Sequence, residues 1–204
     1  DGATRRVTSR TPEGREVVST LDAQGRVERV EAPGVPAVVL THDANGRVEW
    51  VTQGSRLSHV EYDGAGYPWR LTDPAGRQVT LEYDLGGRPW RETLPGNRQV
   101  TFGSDPHGNL SSVTPPGRPG HGFSYWPGDA LKSYDPPAAF SGAPLWPTGY
   151  SYDLDGALTG VALPDGSSIV PAYEAPTGRL SSVTTAHGMT EVGYAPQGRV
   201  WTLS

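Results

Sequence analysis

Cysteine is absent from the 204 residues, which excludes a disulfide framework and any zinc site built on thiolates. Lysine occurs once, at Lys132, among 17 basic residues, and the net charge is −5. No basic cluster stands out, so nucleic acid is not expected as a partner. No apolar run approaches the ~20 residues of a membrane helix, so no membrane span is expected. No basic stretch followed by an apolar one opens the chain, and no signal-peptide pattern is visible. The first residue is Asp1 rather than Met, which leads us to expect a piece of something longer. Apolar residues make up only 35%, little for one thick core and better suited to a thin layer with many turns.

Glycine (27) and proline (20) are abundant instead, and their placement is periodic. The segment Tyr83-Asp84-Leu85-Gly86-Gly87-Arg88 recurs about every 21 residues. Its Asp slot holds Asp22, Asp43, Asp63, Asp84 and Asp105, then Asp153, Glu174 and Ala195. A weaker copy falls at Trp126, and the 27-residue step from there to Asp153 carries about six extra residues. A fixed short period signals one small unit stacked many times. We count about nine units and read 1–204 as one repeat domain, with a Pro-rich insertion loop near 135–149.

Each unit reads as strand, turn, strand, turn. Val79, Leu81 and Tyr83 alternate with Gln78, Thr80 and Glu82, the period of a strand with one apolar face. Then comes Asp-x-x-Gly. The Asp carboxylate can bond backbone N–H groups two residues on, and the Gly tolerates the positive φ of a bulged hairpin turn. The turn glycines are Gly25, Gly46, Gly66, Gly87, Gly108, Gly156, Gly178 and Gly198, and the Glu174 turn is expected to be one residue wider. In the return strand, apolar slots three residues apart, as at Val27 and Val30, predict a bulge, a twist or an early end. Nine units give about 18 short strands in an all-β, antiparallel, curling sheet. A β-propeller is the rival fold, because two units make one four-stranded blade.

Candidate chemistry is sparse. The turn aspartates, one per unit, are expected to form turns rather than a catalytic row. Asp153-Leu154-Asp155-Gly156 resembles the start of a calcium loop but lacks the later ligands. The five histidines show no paired metal spacing, and no nucleophile elbow or phosphate loop is present. Neither catalytic residue, cofactor nor metal is therefore expected. Arg15, Arg56, Arg77 and Arg98 lie seven before the Asp slot, and Arg26, Arg47, Arg88, Arg179 and Arg199 follow the turn glycine. All are expected to pair with turn carboxylates or carbonyls. Trp69, Trp90 and Trp201 share one slot and form a candidate row. Exposed, it could bind sugar rings or a partner; buried, it is packing.

The units resemble the YD repeats of the Rhs family, which includes bacterial polymorphic toxins, the B and C components of insecticidal toxin complexes, and teneurins. The likeness is carried by Tyr83-Asp84-Leu85-Gly86-Gly87-Arg88, Tyr62-Asp63-Gly64-Ala65-Gly66 and Tyr152-Asp153-Leu154-Asp155-Gly156, with looser copies at His42-Asp43 and Leu21-Asp22. It implies a β-ribbon spiralling into a hollow shell, secreted or at a cell surface, of which this chain is an arc. The partners it implies are the remainder of the shell, as flanking repeats or a second chain, and an enclosed toxin domain. Asp73-Pro74-Ala75-Gly76-Arg77 lacks the Leu of the family's autoproteolytic core, so no protease residue is carried over.

The leading expectation is thus a non-catalytic shell segment that encloses or presents a protein cargo. The alternative is an extracellular or cell-wall scaffold that recognises glycan or a surface protein through its aromatics. A glycosidase would need two converging carboxylates, and no pair suggests itself.

Overall fold

The computed structural model describes residues 5–137, 146–195 and 198–203, with the side chains of 201–203 outside the description. The described residues form strands and turns, and no helix. Two compact units are present, Asp1–Gln99 and Val100–Ser204.

The first unit contains β1 (Arg5–Arg10), β2 (Glu16–Leu21), β3 (Val27–Glu31), β4 (Val38–His42), β5 (Val48–Gln53), β6 (Arg56–Tyr62), β7 (Pro68–Thr72), β8 (Gln78–Tyr83) and β9 (Pro89–Leu94). Each strand pairs antiparallel with the next in the chain. The second unit contains β10 (Arg98–Ser104, whose first two residues fall in the first unit), β11 (Leu110–Thr114), β12 (His121–Tyr125), β13 (Leu131–Asp135), β14 (Thr148–Tyr152), β15 (Leu158–Ala162), β16 (Ser168–Tyr173), β17 (Leu180–Thr185), β18 (Gly188–Tyr194) and β19 (Val200–Leu203). It follows the same rule of sequential antiparallel pairing. The described residues form 19 strands, because β1 precedes the first Asp-turn hairpin. Asp135 ends β13 and Thr148 starts β14, which brackets the Pro-rich segment; its residues 138–145 lie outside the described ones.

Register assigns the two faces. In the first unit Val30 faces Val38, Leu40 faces Val51, and Leu71 stands between Val60 and Val79. The other face is polar: Thr20 opposite Arg29, Glu61 opposite Arg70, Glu82 opposite Arg91. In the second unit Phe123 faces Tyr134 and Tyr150 faces Val161. Behind them lie small pairs such as Ser124–Ser133, Ser151–Gly160 and Gly149–Ala162. Among the described residues no hydrophobic side chain is fully buried, and Thr20, at 8% exposed, is the one residue that is nearly enclosed. Each unit is therefore a single layer whose apolar face has nothing packed over it, whereas a free-standing domain buries that face against a second layer.

Every Asp-turn hairpin carries one bulge. Leu21 faces Val27 while Thr20 faces Arg29, which leaves Glu28 without a partner. The same skip isolates Glu49, Trp69, Trp90, Ser111, Lys132, Thr159, Ser181 and Trp201. The extra residue restores Val27 and Val30 to one face despite their spacing of three.

Candidate functional site

The repeated turn is the unit from which any site must be built. At Asp22 the backbone N–H donates to Arg26 O at 2.8 Å, and Gly25 N–H donates to Asp22 O at 3.0 Å. Gly25 sits at φ 82°, where a side chain would crowd the backbone. Asp22 Oδ1 accepts from the amides of Gln24 (3.0 Å) and Arg26 (2.8 Å), and Oδ2 accepts from Arg26 Nε at 2.7 Å. One carboxylate thus closes the turn and anchors the arginine that follows it. Asp43 with Arg47 and Asp84 with Arg88 repeat the arrangement.

The remaining slots vary it. Asp63 keeps both amide bonds but is followed by Tyr67. Asp105 holds Asn109 at 3.2 Å through its side chain, and Asp153 bonds only the amides of Asp155 and Ala157. Gly46, Gly66, Gly87, Gly108, Gly156, Gly178 and Gly198 all have positive φ. In the Trp126 copy Asp129 takes that conformation at φ 60°. The Glu174 turn holds one more residue, with Glu174 N–H donating to Arg179 O at 2.8 Å.

Charge follows from these bonds. The Arg47 amide, then its guanidinium and the Asn45 amide, hold the Asp43 carboxyl below the usual range against the opposing pull of desolvation. The Arg88 guanidinium and amide do the same for Asp84, and those of Arg77 for Asp73 at the opposite rim. These groups are ionised and engaged, which suits turn closure rather than proton transfer. Of the other arginines before the Asp slot, Arg98 Nε donates to Pro95 O at 3.3 Å.

Successive hairpins are tied by a bond that no local pattern announces. Tyr62 Oη donates to Val48 O at 2.7 Å, Tyr83 Oη to Pro68 O at 2.7 Å, Tyr125 Oη to Leu110 O at 2.9 Å and Tyr173 Oη to Leu158 O at 3.0 Å. Each acceptor is the first residue of the preceding hairpin's bulge, next to the residue that pairs with nothing. The tyrosine of one unit thereby caps the irregularity of the unit before it. Desolvation, with Asp63 adding to it, pushes the Tyr83 phenol above its ordinary value. The only sequence signal was the Tyr column itself, which reads equally well as a face residue.

The shared tryptophan slot is the unpaired bulge position. The Arg70 guanidinium lies 4.5 Å over the half-buried Trp69 ring and pairs with Glu61. Arg91 lies 4.5 Å over Trp90, which is 39% exposed, and its Nε donates to Glu82 Oε1 at 2.7 Å. The Trp201 side chain lies outside the described residues. Elsewhere on this face Trp50 stacks on His59 with centroids 3.7 Å apart. Among the described residues no group of three or more His, Asp or Glu side chains is arranged to hold a metal ion.

Single layers of bulged hairpins, with a Tyr-Asp turn or a variant of it at each step, define a shell-type repeat protein. The Teneurin YD-shell family matches residues 6–203, and the chain belongs to that family. No curated protein matches it. Among solved structures it is similar to TcdB2-TccC3 without its hypervariable C-terminal region, with 13% identity and a TM-score of 0.63, over 98% of this chain and 14% of that one. TcdB2-TccC3-Cdc42 matches at 12% identity and the same TM-score. The Photorhabdus luminescens Tc holotoxin pore carrying a TccC3 mutation matches over 92% of this chain and 12% of its own, at 13% identity and TM-score 0.63. At such identities the likeness is one of fold. The chain spans about one seventh of the length of the structures it matches.

Proposed function

We propose that the chain is a stretch of wall in a YD-repeat shell that encloses or presents a protein cargo outside the cell that makes it, and that it catalyses no reaction itself. The observation that carries this reading is the lack of any fully buried hydrophobic side chain among the described residues, in a sheet with one apolar face. Such a layer is incomplete alone and complete as a lining. A continuous hydrogen-bonded sheet also leaves few openings for water or proteases. Flanking repeats of the same shell and a cargo domain are the partners this reading assigns. The turn aspartates and glycines, which set the fixed step of the wall, have a structural role in it. Electron microscopy of the full-length parent protein tests it. Hollow particles with protease-resistant internal density are expected, and solid or fully extended particles would refute it.

A second reading, a scaffold that recognises glycan or a surface protein, draws on the partial exposure of Trp90 beside Trp69. Both rings already carry a guanidinium on one face. Binding on a glycan array that disappears in a Trp69→Ala/Trp90→Ala variant is the result that would favour it.

A further inference from the structure

One hairpin tip differs from its neighbours. In Tyr152-Asp153-Leu154-Asp155-Gly156-Ala157 the residue after the turn glycine is Ala157, where the Asp22, Asp43 and Asp84 tips place an arginine that pairs with the turn carboxylate. Asp153 accepts only backbone amides, and neither Asp153 nor Asp155 forms an ion pair among the described residues. Between them Leu154 is 106% exposed. Leu85 is equally exposed at the Asp84 tip, but there Arg88 neutralises the turn carboxylate, whereas Leu154 stands between two carboxylates without an ion pair among the described residues.

The first unit carries the complementary surface at its opposite rim. A groove of about 470 Å³ is floored in part by Leu71 and Val79 and bordered by Pro95, Arg77 and Arg98. Leu71 is 37% exposed there. Arg77 is paired with Asp73 but remains 69% exposed, and Arg98 is exposed with one carbonyl contact. One hairpin along the same rim stands Arg56, exposed and without an ion pair among the described residues. The rim from Arg56 to Arg98 therefore has a positive excess in a chain whose net charge is −5.

We infer that the Asp153–Gly156 tip of one copy docks in the Leu71–Arg98 groove of a second copy. Leu154 fills the apolar floor while Asp155 meets Arg77 and Arg98. Neighbours on both rims are one hairpin step, ~9.6 Å, apart, so a second pair of opposite charges can meet beside the first. One step along the tip rim stands Glu174, and one step along the groove rim stands Arg56. The contact is heterologous, joining two different surfaces of the chain. This inference stands apart from the shell reading and requires no cargo.

The absence of cysteine makes the test direct. Two preparations of the chain, Ala157→Cys beside the tip and Gln78→Cys beside the groove, leave the proposed contacts in place and are mixed with a short bismaleimide. Mixed cross-linked pairs are expected, and they should exceed those formed by an Ala23→Cys tip with Gln78→Cys. In sedimentation, the unmodified chain should self-associate in a salt-sensitive way. Arg77→Glu/Arg98→Glu should weaken association by about tenfold, and Asp155→Arg should restore it when mixed with that variant. A monomer at the highest soluble concentration, or association indifferent to these changes, overturns the inference. The tip variants keep the test decisive if the groove variant fails to fold.

Discussion

The hydroxyl of Tyr67 occupies the space where a side chain on Gly87 would begin. Tyr67 follows the turn glycine of one hairpin, and Gly87 is the turn glycine of the next. Its ring also stacks on Tyr83, with centroids 4.9 Å apart. The residue after the turn therefore reaches across to the neighbouring tip. Arg26 does so over Gly46, Arg47 over Gly66 and Arg179 over Gly198.

Gly25 and Gly87 separate the two reasons for glycine at a tip. Around Gly25 nothing lies within 4 Å of an added Cβ, and φ is +82°. Gly25→Ala should cost only the left-handed penalty, about 1–2 kcal/mol. Gly87→Ala should cost roughly 1 kcal/mol more, because the Tyr67 ring must also leave its stack. Urea denaturation of both variants, repeated in a Tyr67→Ala background, checks this. The difference should vanish there if the contact is its origin.

The Tyr83 hydroxyl bond should be worth about 1 kcal/mol in a Tyr83→Phe variant, the usual net value of one hydrogen bond. Tyr150→Phe is the control, because the Tyr150 hydroxyl makes no hydrogen bond among the described residues. Equal urea midpoints for the two variants would show that the bulge carbonyl gains nothing from its cap.

The bulge itself predicts an asymmetry between deletion and substitution. Ser111 is the unpaired residue between Leu110 and Ser112. Ser111→Ala should change stability by less than about 0.5 kcal/mol, as at most surface positions. Deleting Ser111 would leave Leu110 and Val113 on one face at the regular spacing of two but would remove the bulge, whose Leu110 O accepts from Tyr125 Oη at 2.9 Å, and should therefore cost more than the substitution. Thermal melting of the two variants distinguishes these outcomes.

Stability should depend on acid in a defined direction. Asp43, Asp73 and Asp84 have folded-state pKa values below those of the unfolded chain, chiefly through the amides and guanidinium groups of Arg47, Arg77 and Arg88. Their contribution is fully present above the unfolded value of about 3.9 and is lost as pH falls through the lower folded values. Melting temperatures recorded from neutral pH downward should hold until that region and then drop. A flat profile through it would mean that the turn carboxylates do not stabilise the fold.

Much of the architecture could be read before any coordinates. The 21-residue period, the two-residue alternation around Val79, Leu81 and Tyr83, and the glycine at each tip together specify tandem hairpins. Local signals sufficed because each hairpin is local. The three-residue spacing of Val27 and Val30 pointed to an irregular return strand, though not to the identity of the skipped residue. What stayed hidden depends on stagger between neighbours. Nothing in the Tyr83 segment says that its hydroxyl finds Pro68 O, and nothing in Gly87 says that Tyr67 lies over it. The slot shared by Trp69 and Trp90 was visible as a column, but its cause, a residue without a cross-strand partner, required the register. The tip at Leu154 looks in sequence like an incomplete calcium loop, and its uncompensated charge shows only beside the tips where Arg26, Arg47 and Arg88 pair with the turn carboxylate.

Sequential pairing has an evolutionary corollary. A protein organised around a central core must renegotiate that core whenever a segment is gained or lost. Here each hairpin answers only to its two neighbours, so duplication or loss of a whole 21-residue step leaves the remaining joints intact. The irregular 27-residue step before Asp153 shows the same tolerance on a smaller scale, because its surplus falls in the chain between β13 and β14 and leaves both strands in the ladder. Length in such a wall is a heritable dial rather than a folding constraint.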